Sequence, residues 1–191
     1  MRPEDFLNPA EFHQLLLACS DARDRTMLLL LGGVGLRVSE VAALKIEDLD
    51  MPTGYLYVRP EVGKGKKSRT CILSDTVIEA LNGHIGDRMA GYVFEGRQNG
   101  HISTRHIETI LDEIAVRAGI QNTRAGRKRV TPHLLRHSFA RWTLDAGINV
   151  ADLQQQLGLS SLAVTGIYLQ VRPNHRLENY KRSGFDQVLR G

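Results

Sequence analysis

Residues 55–73 are the one stretch of this 191-residue chain that reads as strand and not as helix. Two short segments, 55–59 and 68–73, flank the turn Val62-Gly63-Lys64-Gly65-Lys66-Lys67, too rich in glycine and lysine to continue a helix and well suited to a hairpin. Elsewhere apolar side chains recur at helical spacing. Helices are predicted over 3–19, from the cap Asp21 through Leu31, and over 39–49, 75–85, 103–118, 131–146, 149–157, 161–169 and 174–189. Ser103 caps one of them and Pro132 opens another at its first position. The expected architecture is mainly α with a small antiparallel β-sheet, in a single domain over residues 1–191.

Composition excludes several classes. At 42% hydrophobic and 24% charged, the chain has neither a disordered nor a collagen-like profile. Two cysteines, Cys19 and Cys71, make no disulfide framework and no zinc-ligand spacing, which suits a cytoplasmic protein. The apolar run from Met27 is far too short for a membrane span. The net charge of +4 is unevenly spread: residues 1–58 carry 5 basic and 9 acidic side chains, residues 97–141 carry 9 basic and 3 acidic. Arg59, Lys64, Lys66, Lys67 and Arg69 form a second basic segment with Glu61 alone against them. Such segregation suits either a phosphate-tracking surface or a solvated face.

Motif by motif, most enzyme chemistries lack support. There is no phosphate-binding Gly-x-x-x-x-Gly-Lys-Ser/Thr loop, no Gly-x-Ser-x-Gly elbow, and the pair His133/His137 lacks the Glu and third ligand of a zinc site, so no metal is expected. What remains is a set of phosphate-competent side chains. Arg37 follows the Gly35-Leu36 break, Lys64 lies in the hairpin, and His133 and Arg136 share one helix face. Two guanidinium forks match the nonbridging oxygens of a phosphodiester, while lysine and histidine move protons. Taken singly, each has an ordinary structural explanation.

Together they resemble the catalytic domain of the tyrosine recombinases, the phage integrase family that includes the Xer recombinases. The resembling text runs in order through Gly35-Leu36-Arg37-Val38-Ser39-Glu40, Gly63-Lys64-Gly65, Thr131-Pro132-His133-Leu134-Leu135-Arg136-His137-Ser138-Phe139-Ala140, Leu157-Gly158-Leu159-Ser160-Ser161 and Ile167-Tyr168. The resemblance implies that Tyr168 attacks the scissile phosphate to give a 3′-phosphotyrosine, that Arg37 and Arg136 clamp that phosphate, and that Lys64 protonates the leaving 5′ oxygen. His133 would assist, and Glu40 would orient Arg37. The bond energy stays in the covalent intermediate, so neither ATP, metal nor other cofactor is required.

It also implies double-stranded DNA as partner and a homo-oligomer, a tetramer on DNA, linked through a tail at 172–191. Thr104, Arg105 and His106 are candidates for major-groove contact. Lys66, Lys67 and Arg69 of the hairpin, with Arg124, Arg127, Lys128 and Arg129, are candidates for other DNA contacts. Two departures stand out. Leu159 occupies a position where the family usually has His, sometimes Trp, and a leucine donates no hydrogen bond. Leu159 therefore favours a weakened enzyme or a DNA-binding homologue, unless the position serves as an apolar buttress. The family's usual N-terminal helical domain is also expected to be absent. A nick-and-rejoin activity of the type IB topoisomerase kind is the remaining alternative.

Overall fold

In a computed structural model that describes residues 6–60, 68–96, 100–120 and 130–159, the chain is mostly helical with one small sheet. The helices are α1 (Pro9–Leu17), α2 (Ala22–Gly32), α3 (Val38–Ala42), α4 (Asp75–Ile85), α5 (Thr104–Arg117), α6 (Pro132–Asp145) and α7 (Val150–Leu157). Strands β1 (Leu49–Asp50), β2 (Tyr55–Val58) and β3 (Arg69–Ile72) form an antiparallel sheet in that order, with Leu49 opposite Leu56 and Tyr55 opposite Ile72. Among the described residues no helix is long and apolar enough to cross a membrane.

The caps were written locally. Asn8, Asp21, Ser103, Thr131 and Asn149 each accept an amide N–H of the helix they precede. The last four start α2, α5, α6 and α7 near their expected positions, whereas the helix expected over 3–19 begins only at Pro9, after the Asn8 cap, and ends at Leu17. Helix α2 is the central element: Met27 through Gly32 are buried, and the Thr26 hydroxyl spends its proton on the carbonyls of Ala22 and Ala80, the second in α4. Around it packs a continuous apolar core that includes Leu15, Leu36, Leu56, Leu81, Phe94, Ile107, Leu111 and Leu135. A smaller cluster of Ala140, Leu153 and Leu157 joins α6 to α7.

The expected helix over 39–49 is not continuous. It stops at Ala42, because the next backbone groups are taken by a distant segment: Val93 donates to the Leu44 carbonyl and Ile46 donates to that of Gly91. A single 3₁₀ turn, Ile46–Asp48, follows, and Leu49–Asp50 becomes an edge strand. The expected helices over 161–169 and 174–189 lie outside the described residues.

Candidate active site

Each end of the site is a helix terminus. Arg37 is the residue before α3, and Glu40, three residues on, reaches back to accept both the Arg37 amide N–H and its Nη1, each at 2.8 Å. This fixes the guanidinium relative to its own helix. Glu40 is buried in turn against β3, where Arg69 places Nη1 and Nη2 each 2.7 Å from a different carboxylate oxygen. Burial alone would raise the Glu40 carboxyl, but the bonds and charge of Arg69, with those of Arg37, outweigh it and hold it at about 2.

Arg69 was expected at the DNA surface, and the structure corrects that reading. Its side chain is only 7% exposed and is committed to Glu40 and, through Nε, to the Gln156 carbonyl at 2.8 Å. The signal was available: on a strand, Arg69 shares its face with Cys71 and Leu73, both buried, so an arginine there points inward and requires an acid.

The opposite wall is the C-terminus of α7. The last carbonyls of a helix have no intrahelical donor and carry its negative dipole end, so they attract cations. Here three in succession are taken by arginines from three different elements. Gln156 accepts Arg69, Leu157 accepts Nη2 of Arg136 at 2.5 Å, and Gly158 accepts Nη2 of Arg37 at 3.4 Å. Arg136, buried on α6, also donates Nη1 to the Gly35 carbonyl at 2.5 Å. Two glycines make these approaches possible. Gly35 has φ +77°, and a Cβ on it would stand 2.5 Å from the Phe139 ring. Gly158 has φ +62°, and its Cβ would stand 2.9 Å from Cδ of Arg69.

One turn before Arg136, exposed His133 faces His137, with the two Nε2 atoms 2.6 Å apart. One ring donates and the other accepts, so at least one of the two is neutral. Partial desolvation of its ring by the neighbouring side chains and the Arg136 charge push His133 below its ordinary value, and burial, His133 and Arg136 push His137 to about 4. Leu159 is half-buried on the small cluster of Ala140, Leu153 and Leu157, and its amide closes the α7 turn onto the Gln154 carbonyl at 3.0 Å. Thr104, Arg105 and His106 are exposed on the first turn of α5, which packs on α3. Lys64, Lys66, Lys67, Arg124, Arg127, Lys128, Arg129 and Tyr168 lie outside the described residues. No group of three or more metal-ligating side chains occurs among the described residues.

The structure thus gathers Arg37, Glu40 and Arg136 about one helix end, with His133 a turn from Arg136. Compared with known proteins, the sequence profile of the phage integrase family matches residues 5–175. The chain belongs to that family. It is 38% identical over 174 residues to a tyrosine recombinase XerA of Pyrococcus furiosus, covering 88% of this chain and 57% of the relative. A crystal structure of a XerA recombinase superposes with a TM-score of 0.76 at 32% identity, over 93% of this chain and 64% of the other. A XerH site-specific recombinase bound to difH substrate in a pre-cleavage complex gives 0.73 at 25% identity, over 92% and 53%. The chain therefore spans a little over half the length of the curated relative it matches.

Proposed function

We propose that this chain is the catalytic domain of a site-specific DNA recombinase. Tyr168 attacks a backbone phosphorus and gives up its phenolic proton, the 5′ oxygen leaves with a proton from Lys64, and a 3′-phosphotyrosine results. Attack by a new 5′ hydroxyl reverses the step and rejoins the strand. Arg37 and Arg136 hold the phosphate and stabilise the charge of the pentavalent transition state, with His133 as proton acceptor or donor. The observation that carries this reading is the anchoring of both arginines on consecutive carbonyls of α7. Their cationic forks are thereby oriented before any substrate arrives, which is where most electrostatic catalysis resides.

Thr104, Arg105 and His106 would meet the major groove, and Lys66, Lys67, Arg124, Arg127, Lys128 and Arg129 the DNA backbone or minor groove. A tetramer on DNA, linked through residues 172–191, is the assembly this reading requires, with a cytoplasmic site of action. A second reading, a DNA-binding homologue of little activity, is favoured by Leu159, which offers a phosphate no hydrogen bond.

The test is covalent trapping. Nicked suicide duplexes tiled from the DNA flanking its own gene are incubated with protein in EDTA, and a denaturation-resistant adduct is sought. An adduct in wild type that disappears in Tyr168→Phe supports the recombinase. DNA binding with no adduct favours the homologue, and relaxation of supercoils without sequence preference favours a topoisomerase-like activity.

A further inference from the structure

Gln156 stands in the last turn of α7, and its carboxamide makes three hydrogen bonds to backbone groups of the fold. The carboxamide oxygen accepts the Ile72 N–H at 2.8 Å, and the carboxamide nitrogen donates to the carbonyls of Ile72 and Val34, each at 3.2 Å. Among the described residues strand β3 pairs with β2 alone, which leaves its other edge without a strand. The side chain completes Ile72 on that edge as the peptide of a neighbouring strand would. The third partner, Val34, lies in the break between α2 and Arg37. The backbone reinforces the tie, since the Gln156 carbonyl takes Nε of Arg69 and the Cys71 thiol.

One residue therefore fastens the end of α7 to β3 and to the segment leading into Arg37. The next two carbonyls are those that hold Arg136 and Arg37. A shift of that turn moves both acceptors together, and alignment of forks on a phosphate is sensitive to displacements of about 1 Å. The two bonds to Ile72 are exposed, so water can replace them when they are lost, whereas the bond to Val34 is half-buried.

We propose that Gln156 is a positioning residue, whose carboxamide holds the C-terminal turn of α7 against β3 so that the Leu157 and Gly158 carbonyls set Arg136 and Arg37. The proposal rests on the reading of those arginines as the phosphate clamp. Gln156 itself touches no reacting atom.

Two variants test it. Gln156→Met fills the same length without hydrogen bonds, and Gln156→Glu keeps the acceptor for Ile72 but loses both donors. In protein labelled with ¹⁵N-arginine and free of DNA, the Nε–H signals of Arg37 and Arg136 are expected to shift or broaden in both variants. That of Arg59, held elsewhere by Asp48 and the Ala43 carbonyl, stays in place as internal reference. With saturating suicide DNA, the single-turnover adduct rate is expected to fall about tenfold while DNA affinity changes about twofold or less. Unmoved Arg37 and Arg136 signals in two folded variants would overturn the proposal. So would loss of the folded state in both, which would make Gln156 a residue of the fold. If the signals move but wild type forms no adduct, the positioning role stands and the recombinase reading fails.

Discussion

Arg69 and Glu40 meet fork to fork inside the protein, two nitrogens on two oxygens at 2.7 Å, and the same carboxylate also takes the amide and Nη1 of Arg37. A side chain from the sheet thereby braces a side chain from a helix start through one shared acid. Removing that acid leaves a buried guanidinium without its counter-charge. Glu40→Gln is expected to lower unfolding free energy by about 3–5 kcal/mol in urea. Because the folded-state carboxyl sits at about 2, below its ordinary value of 4.5, its contribution is complete above about pH 5 and is lost as pH falls toward 2. That contribution is on the order of 3 kcal/mol, and the Gln variant should lack this part of the acid-stability curve; parallel curves would refute the linkage.

The inward placement of Arg69 separates it from the basic residues of the surface. Arg69→Gln should destabilise the fold yet leave the salt dependence of DNA binding unchanged, as read from log K against log salt. Arg127→Gln should reduce that slope by about 0.9, the contribution of one phosphate contact. A smaller slope in Arg69→Gln would return that residue to the DNA surface.

The His133/His137 pair predicts an acid-side titration. The folded-state values are depressed, so the two rings bind protons less readily in the folded chain than in the unfolded one. Stability is therefore full above about pH 6.5 and declines as pH falls toward 4. Imidazole ¹⁵N shifts should show His137 with a midpoint near 4, moving upward in His133→Ala as one desolvating and charged neighbour is removed. A His137 midpoint near 6.5 in wild type would contradict the burial described for it.

Leu159 separates a missing donor from a packed wedge. Its contact with the cluster of Ala140, Leu153 and Leu157 makes it a wedge, so Leu159→His should cost about 1 kcal/mol of stability and raise the adduct rate by less than about tenfold. A gain of about a hundredfold or more would show that the absent hydrogen bond, and not the packing, limits the rate.

What could be read from the letters was what is determined locally. Ser103, Thr131 and Asn149 announce helices by side chains that cap their own turns, and Arg37, Glu40, His133 and Arg136 lie in short motifs whose spacing survives folding. The helix expected through Leu49 was lost to a pairing with residues 91–93 that no local pattern records. Arg69 was misplaced because its sequence neighbours are basic while its spatial neighbours are Glu40 and the end of α7. Gln156 carried no signal at all: its partners are backbone groups 84 and 122 positions away.

The acceptors of Arg69, Arg136 and Arg37 at the end of α7 are peptide oxygens, which every amino acid possesses. Substitution at positions 156 and 157 changes a side chain without deleting an acceptor, so the arginine seats can be displaced, as by loss of the Gln156 carboxamide, but not abolished as a seat built from aspartates would be. The genetic weak point is instead the stop signal. Gly158 alone combines a left-handed turn with room for Arg69, and a chain that continued the helix through it would withdraw all three oxygens into its own ladder at once.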